Sequence, residues 1–138
     1  MEKEFWLAGK NGRIYMYDLH RNFIGYLSPR GDIQREPVSF GANIYSMELR
    51  HGNVWMASKG GGLFMLTPKE EGRYEIRRWT DFEGDSSIYS FAFDDRQNLW
   101  IGTYHNGLYK IAWQPNYDSL PQRVDTVSYT HLRAHETE

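Results

Sequence analysis

The chain has 138 residues, 40% hydrophobic and 16% aromatic, which is enough apolar material to build a core at one-domain length. The formal net charge of −2 gives no basic footprint for nucleic acid, and no apolar run approaches the ~18 residues of a membrane span. Cysteine is absent, which excludes disulfides and thiolate metal sites.

Met1 to Glu4 are charged and lead straight into Phe5 and Trp6, so this stretch carries no signal peptide. The segment 5–17 then reads as a strand, a turn at Asn11 and Gly12, and a return strand over 14–17. The segment aligns without gaps to 54–66 and 99–111, anchored on Trp6, Trp55 and Trp100 at spacings of 49 and 45 residues. A period in this range belongs to propeller blades or to helical repeats. No segment sustains a 3.6-residue rhythm, and each is dense in glycine, aromatic and β-branched residues, which selects strands. In each anchor strand the tryptophan and the small residue two places on (Ala8, Ala57, Gly102) share one face, and further apolar residues fill the other. A strand apolar on both faces must be covered on both sides, and radially stacked blades provide that cover. The small residues are expected to leave room for an aromatic ring of the next blade.

A second alternating block, at 44–49 and again at 88–93, precedes the second and third anchors. Glycine-bearing turns follow the anchors at Gly61 and Gly62 and at Asn106 and Gly107, where a tight hairpin needs positive φ. Residues 74–79 supply a more polar outer strand, so 44–79 forms one complete unit. The first unit lacks an opening strand, and the third ends near Trp113 with no fourth strand. The fold expected is all-β: a partial β-propeller of about three four-stranded antiparallel blades, two near-complete and one partial. The units lie roughly at 5–27, 44–79 and 88–113 within a domain of 1–125. Rings close with about 4 to 8 blades, so the chain reads as a fragment of a larger propeller that exposes two apolar blade faces.

The run Leu99-Trp100-Ile101-Gly102-Thr103, followed by Asn106-Gly107-Leu108-Tyr109, resembles the two-component regulator propeller repeat, and Ile88-Tyr89-Ser90 with Asp94 and Asp95 extends the likeness. The second unit departs from the pattern at Met56-Ala57-Ser58, and at His51 and Gly52 where an acidic turn is usual; the first unit is weaker still. The resemblance covers roughly 5–113. It implies a piece of the extracytoplasmic, periplasmic sensor region of a hybrid two-component histidine kinase, often tuned to oligosaccharides. The partners implied are the remaining blades of the parent chain and a possible homodimer. Signalling itself would belong to segments other than these. Residues 127–137 resemble a translated sequencing adapter, so 126–138 are set aside as a tail outside the fold. His131 and His135 there have metal-ligand spacing but lack a third ligand nearby.

Six residues are candidates for ligand contact. Tyr104, His105 and Asn106 occupy the turn after the third anchor strand, and Lys59 holds the place of Tyr104 in the second unit. Tyr45 and Tyr89 lie on the strand expected nearest the channel. Exposed aromatic and polar residues on turns suit stacking and hydrogen bonding to a sugar. The plainer alternatives are hairpin decoration for the turn residues and inter-blade packing for the tyrosines. Trp6, Trp55, Trp100, Gly62 and Gly107 are read as structural anchors. Asp94 and Asp95 offer a carboxylate pair, yet their place before Gln97 and Asn98 reads as a turn. Gly60 to Gly62 lack the Lys-Ser/Thr and helix of a phosphate loop. No catalytic constellation, metal site or cofactor is expected. Ligand sensing is the leading functional expectation. A propeller lyase using His51 and a protein-binding scaffold are the alternatives.

Overall fold

The structure, a computed structural model, describes residues 6–80, 82, 86–115 and 117–124. The tail at 126–138, with His131 and His135, lies outside the described residues. Among the described residues, runs of aromatic and aliphatic residues, punctuated by positive-φ turns, form twelve strands. The first group is β1 (Trp6–Lys10), β2 (Arg13–Tyr17), β3 (Phe23–Leu27) and β4 (Ile33–Gln34). The second is β5 (Asn43–Arg50), β6 (Asn53–Lys59), β7 (Leu63–Pro68) and β8 (Tyr74–Trp79). The third is β9 (Ile88–Phe93), β10 (Leu99–Thr103), β11 (Leu108–Ile111) and β12 (Gln122–Arg123). Each group pairs in chain order into one four-stranded sheet, and every pairing is antiparallel. The architecture is a partial β-propeller of three blades.

The middle sheet shows why the repeats stack. Trp55, Ala57, Leu63, Met65 and Trp79 point into a core shared with Ile88, Leu99, Ile101, Tyr109 and Ile111 of the third sheet. The alternate residues Ile44, Met56, Phe64, Leu66 and Tyr74 point into a second core shared with Ile14, Met16 and Leu27 of the first sheet. Period-two alternation thus sends one apolar set to each neighbour, as the two-faced reading of residues 54–66 requires. Each large side chain fully buried there contributes roughly 1.5–3 kcal/mol. Irregular segments complete the seams. Phe40 and Phe82, from the connectors between sheets, set their rings edge-on against the equivalent residues Phe64 and Tyr109, at 5.4 and 5.2 Å. Tyr117, fully buried, meets Trp55 edge-on at 4.8 Å.

The first sheet departs from the gapless alignment. β1 packs on β5 as β6 packs on β9, so β1 is the counterpart of β6. Its hairpin is a two-residue turn with Asn11 and Gly12 both at positive φ, whereas β6 and β7 are joined through three residues. The shorter turn shifts the register by one. Gly9 pairs with Ile14 and Leu7 with Met16, as Ala57 pairs with Leu63 and Trp55 with Met65. Leu7, packed on the core toward the second sheet, therefore holds the anchor place assigned to Trp6. The small residue that admits a neighbouring blade is Gly9, where a Cβ would lie 3.1 Å from Ile44 of the second sheet. The group admitted is aliphatic rather than aromatic. At Gly102 the nearest atoms belong to Ser90 and Tyr89 of the same sheet.

The flanking sheets are longer than the units read from sequence. β4 extends the first sheet to Gln34, although it has no counterpart of β5, and β12 gives the third sheet a fourth strand at Gln122–Arg123. Both strands are two residues long, too short for alternation to mark them. Of the three glycine-bearing turns, only the first is a two-residue hairpin; the others span 60–62 and 104–107, with positive φ at Gly60, Gly62 and Gly107 but not at Asn106.

Candidate functional site

The innermost strands of the second and third sheets carry the same local defect. In β5 the pairing with β6 jumps from Ile44↔Ser58 to Ser46↔Ala57, leaving Tyr45 as the extra residue. In β9 it jumps from Ser90↔Gly102 to Ile88↔Thr103, leaving Tyr89 as the extra residue. These are β-bulges, which re-aim a side chain out of the regular pleat. Ile44 and Ile88 stay in the core while the following tyrosines emerge, Tyr45 44% and Tyr89 63% exposed.

The loops beyond β6 and β10 rise beside them. Tyr104 packs edge-on against Tyr89 at 5.7 Å, and the Lys59 ammonium lies over the Tyr104 ring at 5.8 Å. His105 sits next to Tyr104 with ring centroids 6.3 Å apart. Partial desolvation, with a smaller contribution from the Tyr104 phenol, pushes the Tyr45 hydroxyl up to about 12. The structure thus gathers Tyr45, Lys59, Tyr89, Tyr104 and His105 on one rim at the seam between the second and third sheets. Lys59 and Tyr104 are equivalent positions of adjacent repeats, as are Tyr45 and Tyr89. A Cβ added at Gly60, where φ is +95°, would meet nothing within 4 Å, so open space adjoins Lys59.

Asn106 holds the loop in place. Its Nδ2 donates to the Phe82 carbonyl at 2.8 Å and fixes the loop to the connector. The loops are also held by a repeated hydroxyl clamp. Ser58 Oγ donates to the Gly62 carbonyl and Thr103 Oγ1 to the Gly107 carbonyl, each at 2.8 Å. Gly62 in turn donates its N–H to the Ser86 carbonyl at 2.7 Å, and a Cβ there would lie 2.2 Å from the Trp79 carbonyl oxygen. The anchor glycine at 62 therefore stands where backbone approaches backbone.

The opposite ends of β5, β6, β9 and β10 carry different chemistry. Asp94 closes the β9–β10 turn by accepting from the Arg96 and Asn98 backbone N–H groups at 2.9 Å, from Asn98 Nδ2 at 3.1 Å and from Trp100 Nε1 at 2.8 Å. Burial acts to raise its pKa, but these bonds outweigh it and hold the carboxyl at about 2. Asp94 is a turn-former, as its place before Gln97 and Asn98 suggests. Asp18 closes the β2–β3 turn alike, accepting from the His20 and Asn22 N–H groups at 2.9 Å. In the second unit His51 and Gly52 form a two-residue turn without an acidic residue, and Trp55 Nε1 is buried with no hydrogen-bond partner among the described residues. His51 instead reaches across the seam: Nε2 is 2.6 Å from Gln97 Oε1 and the ring stacks on Trp113 at 5.1 Å. The residue considered for lyase chemistry is an inter-blade contact, at the far end of its strands from the tyrosine rim. Among the described residues no group of three or more His, Asp or Glu side chains is placed to hold a metal.

Residues 83–105 match the family model described as two component regulator propeller. This segment is similar to a two component regulator propeller repeat. It runs from the connector through β9, the Asp94 turn and β10 to the tip of the loop bearing Tyr104 and His105. The matched segment thus contains both the bulged Tyr89 and the turn that holds Trp100. No curated protein and no solved structure gave a match.

Sequence reasoning picked out the rim residues but missed Phe40, Phe82 and Tyr117, which close the seams. They lie in connectors without periodicity, and Phe40 stands four residues before Ile44 while Phe82 stands six before Ile88. Unequal spacing hides them from a gapless comparison.

Proposed function

We propose that the chain is a ligand-recognition module of a two-component regulator, and that the rim of Tyr45, Lys59, Tyr89, Tyr104 and His105 is its contact surface. The observation that carries this reading is the pair of equivalent bulges turning Tyr45 and Tyr89 outward beside Tyr104. A fold that closes its seams with buried aromatic rings here turns two others outward through register defects. Aromatic faces beside an ammonium suit a sugar: C–H faces stack on the rings while hydroxyls bond to the phenols and Lys59. An oligosaccharide spanning two blades is therefore the ligand class put forward, with binding rather than catalysis as the role. On the precedent of the repeat family the module would face the extracytoplasmic side and pass occupancy to a kinase elsewhere in the parent protein.

The test is a titration of the chain with a panel of oligosaccharides, followed by NMR of the tyrosine and lysine side chains and by calorimetry. Binding should perturb Tyr45, Tyr89, Tyr104 and Lys59 first, and Tyr104→Ala should weaken it about 3- to 10-fold, the worth of one stacking contact. His51→Ala should leave binding unchanged. Shifts confined to the His51 end, or no shifts with any saccharide, would refute the assignment.

A further inference from the structure

The rim between the second and third sheets is rich in hydrogen-bond donors. Lys59 is exposed, and its ammonium donates without being able to accept. Its Nζ lies 5.8 Å from the centroid of the Tyr104 ring, a contact that holds the long side chain at the rim before any ligand arrives. The Tyr45 phenol, pushed up to about 12 by partial burial and then by the nearby Tyr104 phenol, keeps its proton at neutral pH and can donate as well. The charge at this edge is one-sided. Among the described residues the ion pairs join Arg50 to Glu48, Lys69 to Glu75 and Arg77 to Asp118, and none includes Lys59. Asp94 is held in its own turn at the opposite end of β9 and β10. A Cβ at Gly60 would meet nothing within 4 Å, so the space beside the ammonium is open.

We propose that the ligand of this rim is an anionic oligosaccharide, with a carboxylate or sulfate group of one sugar ring seated on the Lys59 ammonium and the sugar faces laid against the exposed tyrosines. This rests on the rim being the contact surface, and it narrows the class of sugar that the surface takes. A neutral sugar satisfies the phenols, whose hydroxyls both donate and accept, but it offers the ammonium only hydroxyl dipoles. An acidic group gives Lys59 a charge-assisted bond, roughly twice as strong as a neutral one. The geometry brings both kinds of contact together: Tyr104 touches Lys59 on one side and packs against the outward-turned Tyr89 at 5.7 Å on the other. A ring that stacks here therefore holds its substituents within the field of the ammonium. The charge sits at the seam, so an anion bound to Lys59 of the second sheet also meets Tyr104 of the third.

Calorimetric titration of the chain with two matched pairs of probes tests this. One pair is an oligogalacturonide and its fully methyl-esterified form, which keeps the rings and loses the charge. The other is a sulfated galactan oligosaccharide and its desulfated form. In at least one pair the charged probe should bind about 3- to 10-fold tighter at low salt, and the gap should shrink as salt rises. The pair that shows the gap identifies carboxylate or sulfate as the group recognised. Lys59→Met keeps the apolar stem and removes the charge, so it should abolish the gap while changing affinity for the neutral probe by less than about twofold. Lys59→Arg should retain the gap. Equal affinity within both pairs, a gap that survives Lys59→Met, or binding of neutral saccharides alone overturns the anionic assignment and leaves the rim as a surface for neutral sugars. Absence of binding by every saccharide, charged or neutral, is instead the failure of the recognition reading, and this inference falls with it.

Discussion

Replacing Asp94 with alanine removes the acceptor of four hydrogen bonds, including the 2.8 Å bond from Trp100 Nε1. The gap between the ordinary carboxyl value of 3.8 and about 2 corresponds to about 2 kcal/mol. The carboxylate faces solvent, so water screening cuts this to roughly 1 kcal/mol. Exposed turn N–H groups can be rehydrated once the acceptor is gone, which keeps the total cost at about 1–2 kcal/mol. The expected fall in Tm is roughly 3–8 °C. Because the folded value lies below the unfolded one, the contribution is full above about pH 4 and is lost as pH falls through about 2. Urea denaturation across this range, with carbon NMR of the Asp94 carboxyl, reads both quantities. A double-mutant cycle with Trp100→Phe should return a coupling of about 0.5–1.5 kcal/mol for the single bond. A carboxyl that titrates at 3.8 or above, or a cost for Asp94→Ala within about 0.3 kcal/mol of zero, would refute the account of this turn.

Gly31→Ala should destabilise the chain by more than about 2 kcal/mol, because a Cβ there would stand 1.8 Å from the Tyr74 carbonyl oxygen at φ +94°, while Gly41→Ala, with open space and φ +77°, should cost about 1 kcal/mol; thermal melts compare the two. The Tyr45 phenol should ionise only near pH 12, so its contribution to stability is complete below pH 10 and is lost as pH rises through 12, which ultraviolet difference spectra of wild type and Tyr45→Phe can follow. Trp55→Phe should cost less than about 1.5 kcal/mol against about 3–5 kcal/mol for Trp55→Ala, because among the described residues the indole N–H has no partner to lose.

The blade plan was legible because the middle unit obeys it strictly: residues 54–57 and 63–66 alternate between two cores, and apolar alternation is visible in a single sequence. The first unit misled because tryptophan is conspicuous. Trp6 drew the alignment, while the short turn at Asn11 and Gly12 set the register and gave the anchor place to Leu7. The rim was legible as a set of exposed residue types, but the device that exposes Tyr45 and Tyr89 was not, since a bulge is a mismatch between two strands and leaves no mark in either alone. Asn106 shows the converse. Its place in the loop suggested ligand contact, and only the geometry reveals its bond to the Phe82 carbonyl.

Among the described residues the middle sheet is lined with core on both sides, whereas each outer sheet shares one core. Stability in stacked repeats is carried between nearest neighbours, so unfolding here has a built-in order. Either outer sheet can detach while leaving the opposite seam intact, but β6 and β7 cannot open until one of those seams has gone. Amide protons of Met56 and Phe64 therefore exchange last, and anything that clasps the rim of Tyr45 and Tyr104 also locks the third sheet to the second.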